Sequence, residues 1–349
     1  MNTKIKIGNK LIGEDEPCFV IAEAGVNHNG SVELAEKLID TAKDAGADAV
    51  KFQTFKAGNV VTKTAEKAEY QKGTTKKGSQ YDMIKELELT EKDFKKLAEY
   101  AKKTGILFLS SPFDRESVDL LDEIGVSAYK VASGEITNFP LLKYIVEKDN
   151  PIILSTGMAT LGEIEDAVRV IEKAGVGDIV LLHCVTSYPA KVEDINLRVI
   201  ETLKHAFKLP VGFSDHTLGI TVPIAAVSIG AVVIEKHFTL DKNLPGPDHK
   251  ASLEPDELKE MVAAIRDVEK ALGDGIKQPT ETEEEIKKVA RRSVVAKVDI
   301  PEGAIIKEDM LDVKRPGTGI EPKYWQYISG MRAKKDINKD EIITWKTIE

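Results

Sequence analysis

The chain has 349 residues, of which 42% are hydrophobic and 31% charged, with only 14 prolines and 25 glycines. This composition excludes disordered, collagen-like and low-complexity proteins, and the length fits one large domain followed by a small one. The 58 acidic residues outnumber the 49 basic ones, for a net charge of −9, which argues against a nucleic-acid partner because such a partner needs a basic face.

Two features of the sequence predict the compartment. The first ten residues, MNTKIKIGNK, lack an apolar signal segment, and no run of about 20 apolar residues occurs anywhere. Both cysteines, Cys18 and Cys184, lie in apolar runs, which is typical of buried thiols in a reducing environment. We therefore expect a cytoplasmic protein with no membrane partner.

Short apolar runs alternate with amphipathic stretches from residue 18 to about residue 273. The runs are rich in β-branched residues and are bounded by turn residues, which predicts strands. They cover residues 18–24, 49–55, 106–111, 128–133, 152–156, 179–184, 211–215 and 231–238. Eight strand–helix units in roughly 250 residues predict a closed parallel (β/α)8 barrel, or TIM barrel. An open doubly wound sheet is the alternative, but no glycine-rich dinucleotide loop follows the first strand.

One connection in this pattern is longer than its unit needs. Residues 56–89 separate the second predicted strand from its helix, and their lysines include those at positions 63, 67, 72, 76 and 77. A long loop in a compact domain is more often functional than idle. A solvated basic excursion is the alternative.

After Gly273 the sequence becomes mainly polar and charged. We predict a barrel domain over 1–275, a polar linker over 276–292 and a small, mainly β domain over 293–349. Within that domain AKVDIPEGAII (296–306) is echoed by AKKDINKDEII (333–343), and each segment predicts two short strands around a turn. Because so small a unit buries little hydrophobic core by itself, we expect it to pack against another surface.

Polar residues gather at the carboxyl ends of the predicted strands, where the active site of a parallel barrel lies. Lys51 and Lys130 each sit within an apolar strand, and a buried ammonium needs an anionic partner. An internal ion pair with Glu23 or Glu135 would supply one. A bound phosphate, held by both lysines and by the hydroxyls of Ser111, Ser133 and Ser155, is the interpretation we favour.

Two histidines end neighbouring predicted strands. His216 and His237 can point at one ion, with Glu235 close by, and imidazole with carboxylate and water suits a divalent metal such as Mn²⁺, with Zn²⁺ and Fe²⁺ left open. After the last strand, the stiff turn LPGPDH carries Asp248 and His249, a placement that suits the hydroxyl groups of a polyol.

Ten segments in chain order resemble the sialic acid synthases. They are IAEAGVNHNG (21–30), VKFQTF (50–55), SSPFD (110–114), YKVASGE (129–135), ILSTGM (153–158), HCVTSYP (183–189), GFSDHT (212–217), EKHFT (235–239), LPGPDH (244–249) and KRPGTG (314–319). That family condenses phosphoenolpyruvate with an N-acylated mannosamine to make a nonulosonic acid. The carboxyl-terminal unit is similar to the antifreeze-like, or SAF, domain of these enzymes.

The resemblance implies a role for each matching residue. Phosphoenolpyruvate would be bound by Lys51, Ser111, Lys130, Ser133, Ser155 and Ser214. The sugar would be bound by Gln53, Tyr188, Asp248 and Arg315, with Arg315 reaching the partner subunit of a domain-swapped homodimer. Glu23, Glu135, His216 and His237 would be catalytic, with Glu135 accepting a proton from water. His216 and His237 would hold a divalent metal, Mn²⁺ before Mg²⁺ or Co²⁺.

The exact sugar stays open. Thr186 in HCVTSYP stands where some N-acetylneuraminate-forming members have asparagine, so the acceptor could be N-acetylmannosamine, leading to N-acetylneuraminate, or 2,4-diacetamido-2,4,6-trideoxymannose, leading to legionaminate. Two alternatives from other classes are a metal-free Schiff-base aldolase with Lys130 as nucleophile and a carbohydrate-binding protein without catalysis.

Overall fold

A computed structural model describes residues 4–75, 77–175 and 177–349 of the chain. Lys76, one of the lysines named above in the long connection, lies outside the described residues. The chain divides into two units, Met1–Gly273 and Asp274–Glu349. Residues 276–292, assigned above to a linker, are thereby grouped with the second unit.

Eight parallel strands form the sheet of the first unit. In the order β5-β4-β3-β10-β9-β8-β7-β6 each strand is hydrogen-bonded to the next, and β5 and β6 lie side by side so that the sheet curls into a barrel. Every predicted run overlaps one of these strands, so the barrel is confirmed. Their bounds, after a short amino-terminal pair β1 (Lys4–Ile7) and β2 (Lys10–Gly13), are β3 (Phe19–Gly25), β4 (Ala49–Thr54), β5 (Leu107–Pro112), β6 (Tyr129–Val131), β7 (Ile152–Ser155), β8 (Ile179–Cys184), β9 (Val211–Asp215) and β10 (Val233–His237).

Helices connect the strands and cover the outside of the barrel. The predicted capping box of the helix after β7 is present: the Thr160 hydroxyl accepts from the Glu163 amide, and the Glu163 carboxylate accepts from the Thr160 amide. The helices of the first unit are α1 (Val32–Asp44), α2 (Ala57–Val60), α3 (Glu69–Lys72), α4 (Gln80–Leu87), α5 (Glu91–Thr104), α6 (Arg115–Ile124), α7 (Phe139–Val146), α8 (Leu161–Lys173), α9 (Val199–Phe207), α10 (Thr221–Ser228) and α11 (Pro255–Leu272).

The β1–β2 hairpin closes the amino-terminal end of the barrel. Ile5, Ile7 and Ile12 are buried in one apolar cluster with the first residues of several barrel strands, among them Phe19 and Ala49. This hairpin was not predicted from the sequence, because it has too few consecutive apolar residues to resemble the runs of the barrel strands. With one end closed by apolar packing, the carboxyl ends of the strands are left as the place for polar chemistry.

The long connection after β4 is folded. It contains α2, α3 and α4, and the apolar residues Val26, Phe55 and Leu87 are buried with Val60, Ile84 and Phe113 packed against them. The connection is therefore a layer laid over the carboxyl end of the barrel.

The second unit has its own core. It contains α12 (Glu281–Ala290), β11 (Ser293–Ala296), β12 (Leu311–Lys314) and α13 (Trp325–Ile328), with β11 and β12 antiparallel. The two echoed segments pair with each other, since Ile300 and Ile337 exchange both backbone hydrogen bonds, rather than each forming two strands. Eleven apolar residues are buried together in this unit. This core is larger than the small size of the unit led us to expect.

Across the described ranges, no helix has both the length and the apolar character needed to cross a membrane.

Candidate active site

A cavity of about 300 Å³ opens at the carboxyl ends of the barrel strands. Of the predicted site residues, all but Glu135 and Arg315 line it: Glu23, Lys51, Gln53, Ser111, Lys130, Ser133, Ser155, Tyr188, Ser214, His216, His237 and Asp248. The barrel brings them together because adjacent parallel strands end at the same edge.

Four buried charged side chains form what we call the charge cluster: Glu23, Lys51, Lys130 and Glu235. The Lys51 ammonium lies 2.7 Å from Glu23 and 3.7 Å from Glu235, and Lys130 lies 3.3 Å from Glu235. All four side chains are nearly inaccessible to solvent. Lys51 has the expected partner in Glu23, whereas the carboxylate beside Lys130 is Glu235, not Glu23 or Glu135.

The two carboxylates of the cluster have opposite protonation preferences. Burial raises the pKa of Glu23, an effect that Lys51 offsets only in part and that the charge of Glu235 adds to. Burial would also raise the pKa of Glu235, but the charges of Lys130 and then Lys51 outweigh it and hold that pKa below its usual range. Burial lowers the pKa of Lys130, with Glu235 opposing. The cluster thus contains a carboxylate kept ionised beside a carboxyl that readily takes up a proton.

Serine hydroxyls surround the two ammonium groups. Lys51 donates to Ser111 at 3.2 Å, Lys130 donates to Ser155 at 2.7 Å, and Ser214 donates to Glu235 at 2.9 Å. Ser133 accepts from the Gly157 amide at 3.0 Å. A Cβ at Gly157 would lie 2.3 Å from the Thr186 hydroxyl and 2.7 Å from the Ser133 hydroxyl, so a side chain there would displace these hydroxyls. Hydroxyls held beside buried ammonium groups are suited to bind an oxyanion.

The two histidines lie side by side beyond the cluster. His216 follows β9 and His237 ends β10, two strands in register as neighbours, and their ring centroids are 5.5 Å apart. The Nδ1 of His216 lies 2.7 Å from the Val185 carbonyl oxygen, so Nδ1 carries a proton and donates, which fixes the orientation of the ring. Among the described residues, the buried Nδ1 of His237 has no hydrogen-bond partner.

A buried ion pair holds the strand ends that carry these histidines. Lys236 is fully buried, and its ammonium lies 2.5 Å from Asp215 and also donates to the Thr217 carbonyl. Asp215 in turn accepts from the amide and the hydroxyl of Thr217, at 2.9 and 3.0 Å. Because Lys236 and Asp215 immediately precede His237 and His216, the pair fixes both histidines from outside the cavity.

The histidine pair fits a metal ion that takes most of its ligands from water or substrate. Burial lowers the pKa of His237 well below its ordinary value, with His216 and Lys51 adding to the effect, so this ring is neutral, as a ligand must be. Within the described ranges, no group of three or more His, Cys, Asp or Glu side chains is arranged to hold a metal. Two imidazoles alone would leave most of the coordination positions of an ion to water or substrate.

The predicted sugar-binding residues lie around this polar floor. Gln53 donates to Glu23 at 3.2 Å, and the Tyr188 ring packs 4.1 Å from that of His216, centroid to centroid. Burial raises the pKa of Asp248 to about 6, with His216 opposing. Its neighbour His249 contacts Thr239 and Asn29, so it supports the turn rather than facing the cavity.

Glu135 and Arg315 lie elsewhere. Glu135 ends a short 3-10 helix, is half-buried, and accepts a hydrogen bond from Asn138 at 2.6 Å; it does not line the cavity. Arg315 is exposed after β12 in the second unit.

Sequence reasoning missed three parts of the site. Glu235 was placed near the histidines but not between the lysines. Cys184 was interpreted as a core residue, yet its buried thiol lines the cavity 3.8 Å from Nδ1 of His216. The third part is the set of apolar residues from the long connection, of which only the unusual length gave a signal.

Fold and site together define a class: a (β/α)8 barrel with two buried lysines and several serine hydroxyls next to a pair of histidines at the carboxyl ends of its strands. Comparisons with known proteins place the chain within that class. The NeuB family model matches residues 38–277, and the SAF domain model matches residues 291–349.

Individual relatives extend this match over nearly the whole chain. The chain is 54% identical to the N,N'-diacetyllegionaminic acid synthase of Campylobacter jejuni, over 93% of this chain and 98% of that protein. It is 49% identical to the protein of the same name from Legionella pneumophila, over 100% of this chain and 99% of that protein. A crystal structure of N-acetylneuraminic acid synthetase from Leptospira borgpetersenii matches with 40% identity and a TM-score of 0.72, over 81% of this chain and 94% of that one.

The chain belongs to the NeuB family. The resemblance to sialic acid synthases, the SAF domain and the assignment as an enzyme are thereby confirmed.

Proposed function

We propose that this enzyme condenses phosphoenolpyruvate with an N-acylated mannosamine-type sugar to give a nonulosonic acid and phosphate. The observation that carries the proposal is the pairing of two buried lysines with serine hydroxyls directly beside an open histidine pair. A passive carbohydrate-binding protein has no need for this arrangement, because burying charges in a sugar site is costly.

The charge cluster explains how a phosphate could be accommodated. Two ammonium groups and two carboxyl groups balance in the free enzyme, so an incoming phosphate dianion would add negative charge. Lys51 and Lys130, with Ser111, Ser155 and Ser214, would offset that charge by donating to phosphate oxygens.

For the metal, we propose Mn²⁺, with Mg²⁺ and Co²⁺ as other candidates, held by His216 and His237. A divalent ion there supplies Lewis-acid polarisation of the acceptor aldehyde. The protein's own part is to keep His237 neutral and to fix His216 by its bond to Val185.

The proposed reaction balances in two bond-forming steps. C3 of phosphoenolpyruvate bonds to the aldehyde carbon of the open-chain sugar, whose oxygen becomes a hydroxyl after protonation. Water then adds at C2, loses a proton, and the C2–O bond to phosphate breaks, so that phosphate leaves. The sequence assigned the water's proton to Glu135; Glu23 is the better candidate, because it lines the cavity and its raised pKa suits proton exchange near neutral pH.

The proposal also covers the oligomeric state and the cellular location of the protein. We propose a domain-swapped homodimer in which Arg315 reaches the sugar of the partner subunit, because the exposed guanidinium offers forked donors for a carbonyl group. We also propose a cytoplasmic location, supported by the free, buried thiols of Cys18 and Cys184.

The test of the reaction is release of inorganic phosphate from phosphoenolpyruvate. Release should require both an N-acylated mannosamine and a divalent metal, and a chelator should stop it until Mn²⁺ is restored. Metal-independent turnover, with pyruvate trapped on Lys130 by borohydride, would instead establish the aldolase alternative.

The test of the swapped dimer is complementation. Arg315→Ala and His237→Ala proteins should each be nearly inactive, and mixing them after dissociation should restore part of the activity, because one site then has an intact barrel and an intact partner arginine. No recovery, with heterodimers verified by native mass spectrometry, would remove Arg315 from the partner's site.

A further inference from the structure

One side of the cavity is apolar, although the proposed acceptor is a sugar. We call this side the apolar wall; it is formed by Phe55, Val60, Val61, Met83, Ile84 and Phe113. Phe55 and Phe113 meet edge to face, with ring centroids 6.3 Å apart, and Met83 is buried. Five of the six residues come from the long connection between β4 and α5, so the wall is a feature of that segment rather than of the barrel core.

The wall faces the part of the acceptor that does not react. The charge cluster and the histidine pair occupy the floor, where the two reacting carbons must meet. The rest of the sugar must fill the remaining space, which is bounded by the apolar wall and by two glutamines of the same connection, Gln71 and Gln80. Gln80 offers a side-chain amide, and the Gln71 side chain accepts a hydrogen bond from the Ala68 amide. The wall itself offers no hydrogen-bonding side chain.

Such a lining discriminates between the two candidate acceptors. N-acetylmannosamine has hydroxyls at C4 and C6, and a hydroxyl buried against the wall loses its hydrogen bonds to water without replacement. 2,4-Diacetamido-2,4,6-trideoxymannose has an acetamido group at C4 and a methyl group at C6. Both methyl groups gain from apolar burial, and the added amide matches the side-chain amide of Gln80.

We propose that the apolar wall is the specificity determinant of this enzyme, selecting an acceptor that is deoxygenated at C6 and N-acetylated at C4. The inference rests on the proposed condensation and adds to it the residues that choose the sugar. It agrees with the higher identity of this chain to the two diacetyllegionaminic acid synthases than to the N-acetylneuraminic acid synthetase.

The test compares kcat/KM for the two acceptors at saturating phosphoenolpyruvate and Mn²⁺. Wild-type enzyme should favour the trideoxy sugar by roughly 10- to 100-fold, the range in which an apolar pocket rejects an added hydroxyl. Val61→Thr, which keeps the side-chain shape, and Met83→Gln, which keeps its length, should each reduce this preference, and the double variant by about tenfold or more. Val192→Thr, the same change at an exposed position that does not line the cavity, should leave the preference unchanged.

Each remaining outcome has a defined meaning. Wild-type turnover with a preference for N-acetylmannosamine would overturn the inference and leave the condensation intact. Equal losses with both acceptors in Val61→Thr and Met83→Gln would also overturn it, since the wall would then be structural. No turnover with either sugar would count against the proposed function itself, and the inference would fall with it.

Discussion

Lys51 is the residue at which binding and stability can be separated most clearly. It lies 2.7 Å from Glu23 and 3.7 Å from Glu235, and it donates to Ser111 within the proposed phosphate site. In Lys51→Met, the phosphate loses a charge-assisted contact worth about 1.5–3 kcal/mol, so its Kd should rise roughly 10- to 150-fold. The affinity for the sugar should change far less.

The same substitution should destabilise the fold. It leaves the buried Glu23 carboxyl without its lysine and Glu235 with Lys130 alone, and breaking a buried pair from one side costs about 3–5 kcal/mol. Glu23 can relieve part of this cost by taking up a proton. Adding Glu23→Gln to Lys51→Met should therefore recover stability without recovering phosphoenolpyruvate affinity.

The assay is calorimetric titration of phosphoenolpyruvate together with thermal unfolding of each variant. Lys236→Met is the matched control, because Lys236 is an equally buried lysine paired with Asp215 outside the cavity; it should lower the Tm with a much smaller effect on affinity. A Lys51→Met protein that is less stable but binds phosphoenolpyruvate within about threefold of wild type would refute the phosphate-binding role of Lys51.

Three further predictions follow from other parts of the chain. Burial lowers the pKa of His28 to about 4 from an ordinary 6.5, and the charge of His249 adds to this effect. The folded state therefore keeps His28 neutral. This contributes about 3 kcal/mol to the free energy of unfolding, which is present above pH 6.5 and is lost as the pH falls toward 4. His28→Asn should therefore lose less Tm than wild type between pH 7 and pH 4.5, and equal losses would show that His28 does not contribute. His237→Ala should abolish Mn²⁺-dependent turnover while the circular dichroism spectrum is unchanged; near-normal turnover would exclude His237 as a ligand. Ile12→Ala should cost about 2–5 kcal/mol in urea unfolding yet keep kcat, because the hairpin lies at the opposite end of the barrel from the site, and a large fall in kcat would contradict that separation.

The barrel could be predicted because its strands are buried on both faces. Parallel strands of this kind appear in sequence as short apolar runs, such as IVLLHC at 179–184, and eight of them in one domain have few other solutions. The β1–β2 hairpin gave no such signal, since its burial depends on the open end of a barrel that the local sequence does not describe.

The site residues could be predicted where a charged or polar side chain occurs within an apolar segment. A lysine inside an apolar strand, like Lys51 or Lys130, and a histidine at a strand end, like His237, stand out because burying them without a purpose is costly. The partner of Lys130 could not be predicted, because whether Glu135 or Glu235 lies beside it depends on how the strands are arranged around the barrel. The apolar wall was missed for the opposite reason: Met83 and Ile84 resemble ordinary core residues until the cavity beside them is known.

The proposed condensation is tested most directly by following the carbons of phosphoenolpyruvate. Phosphoenolpyruvate labelled with ¹³C in all its carbons is incubated with the enzyme, Mn²⁺ and 2,4-diacetamido-2,4,6-trideoxymannose, and the products are analysed by mass spectrometry and ¹³C NMR. The account predicts that the label appears in a nonulosonic acid, joined through C3 to the former aldehyde carbon, with one phosphate released per product. Label found only in free pyruvate, or trapped on the protein by borohydride, would contradict it.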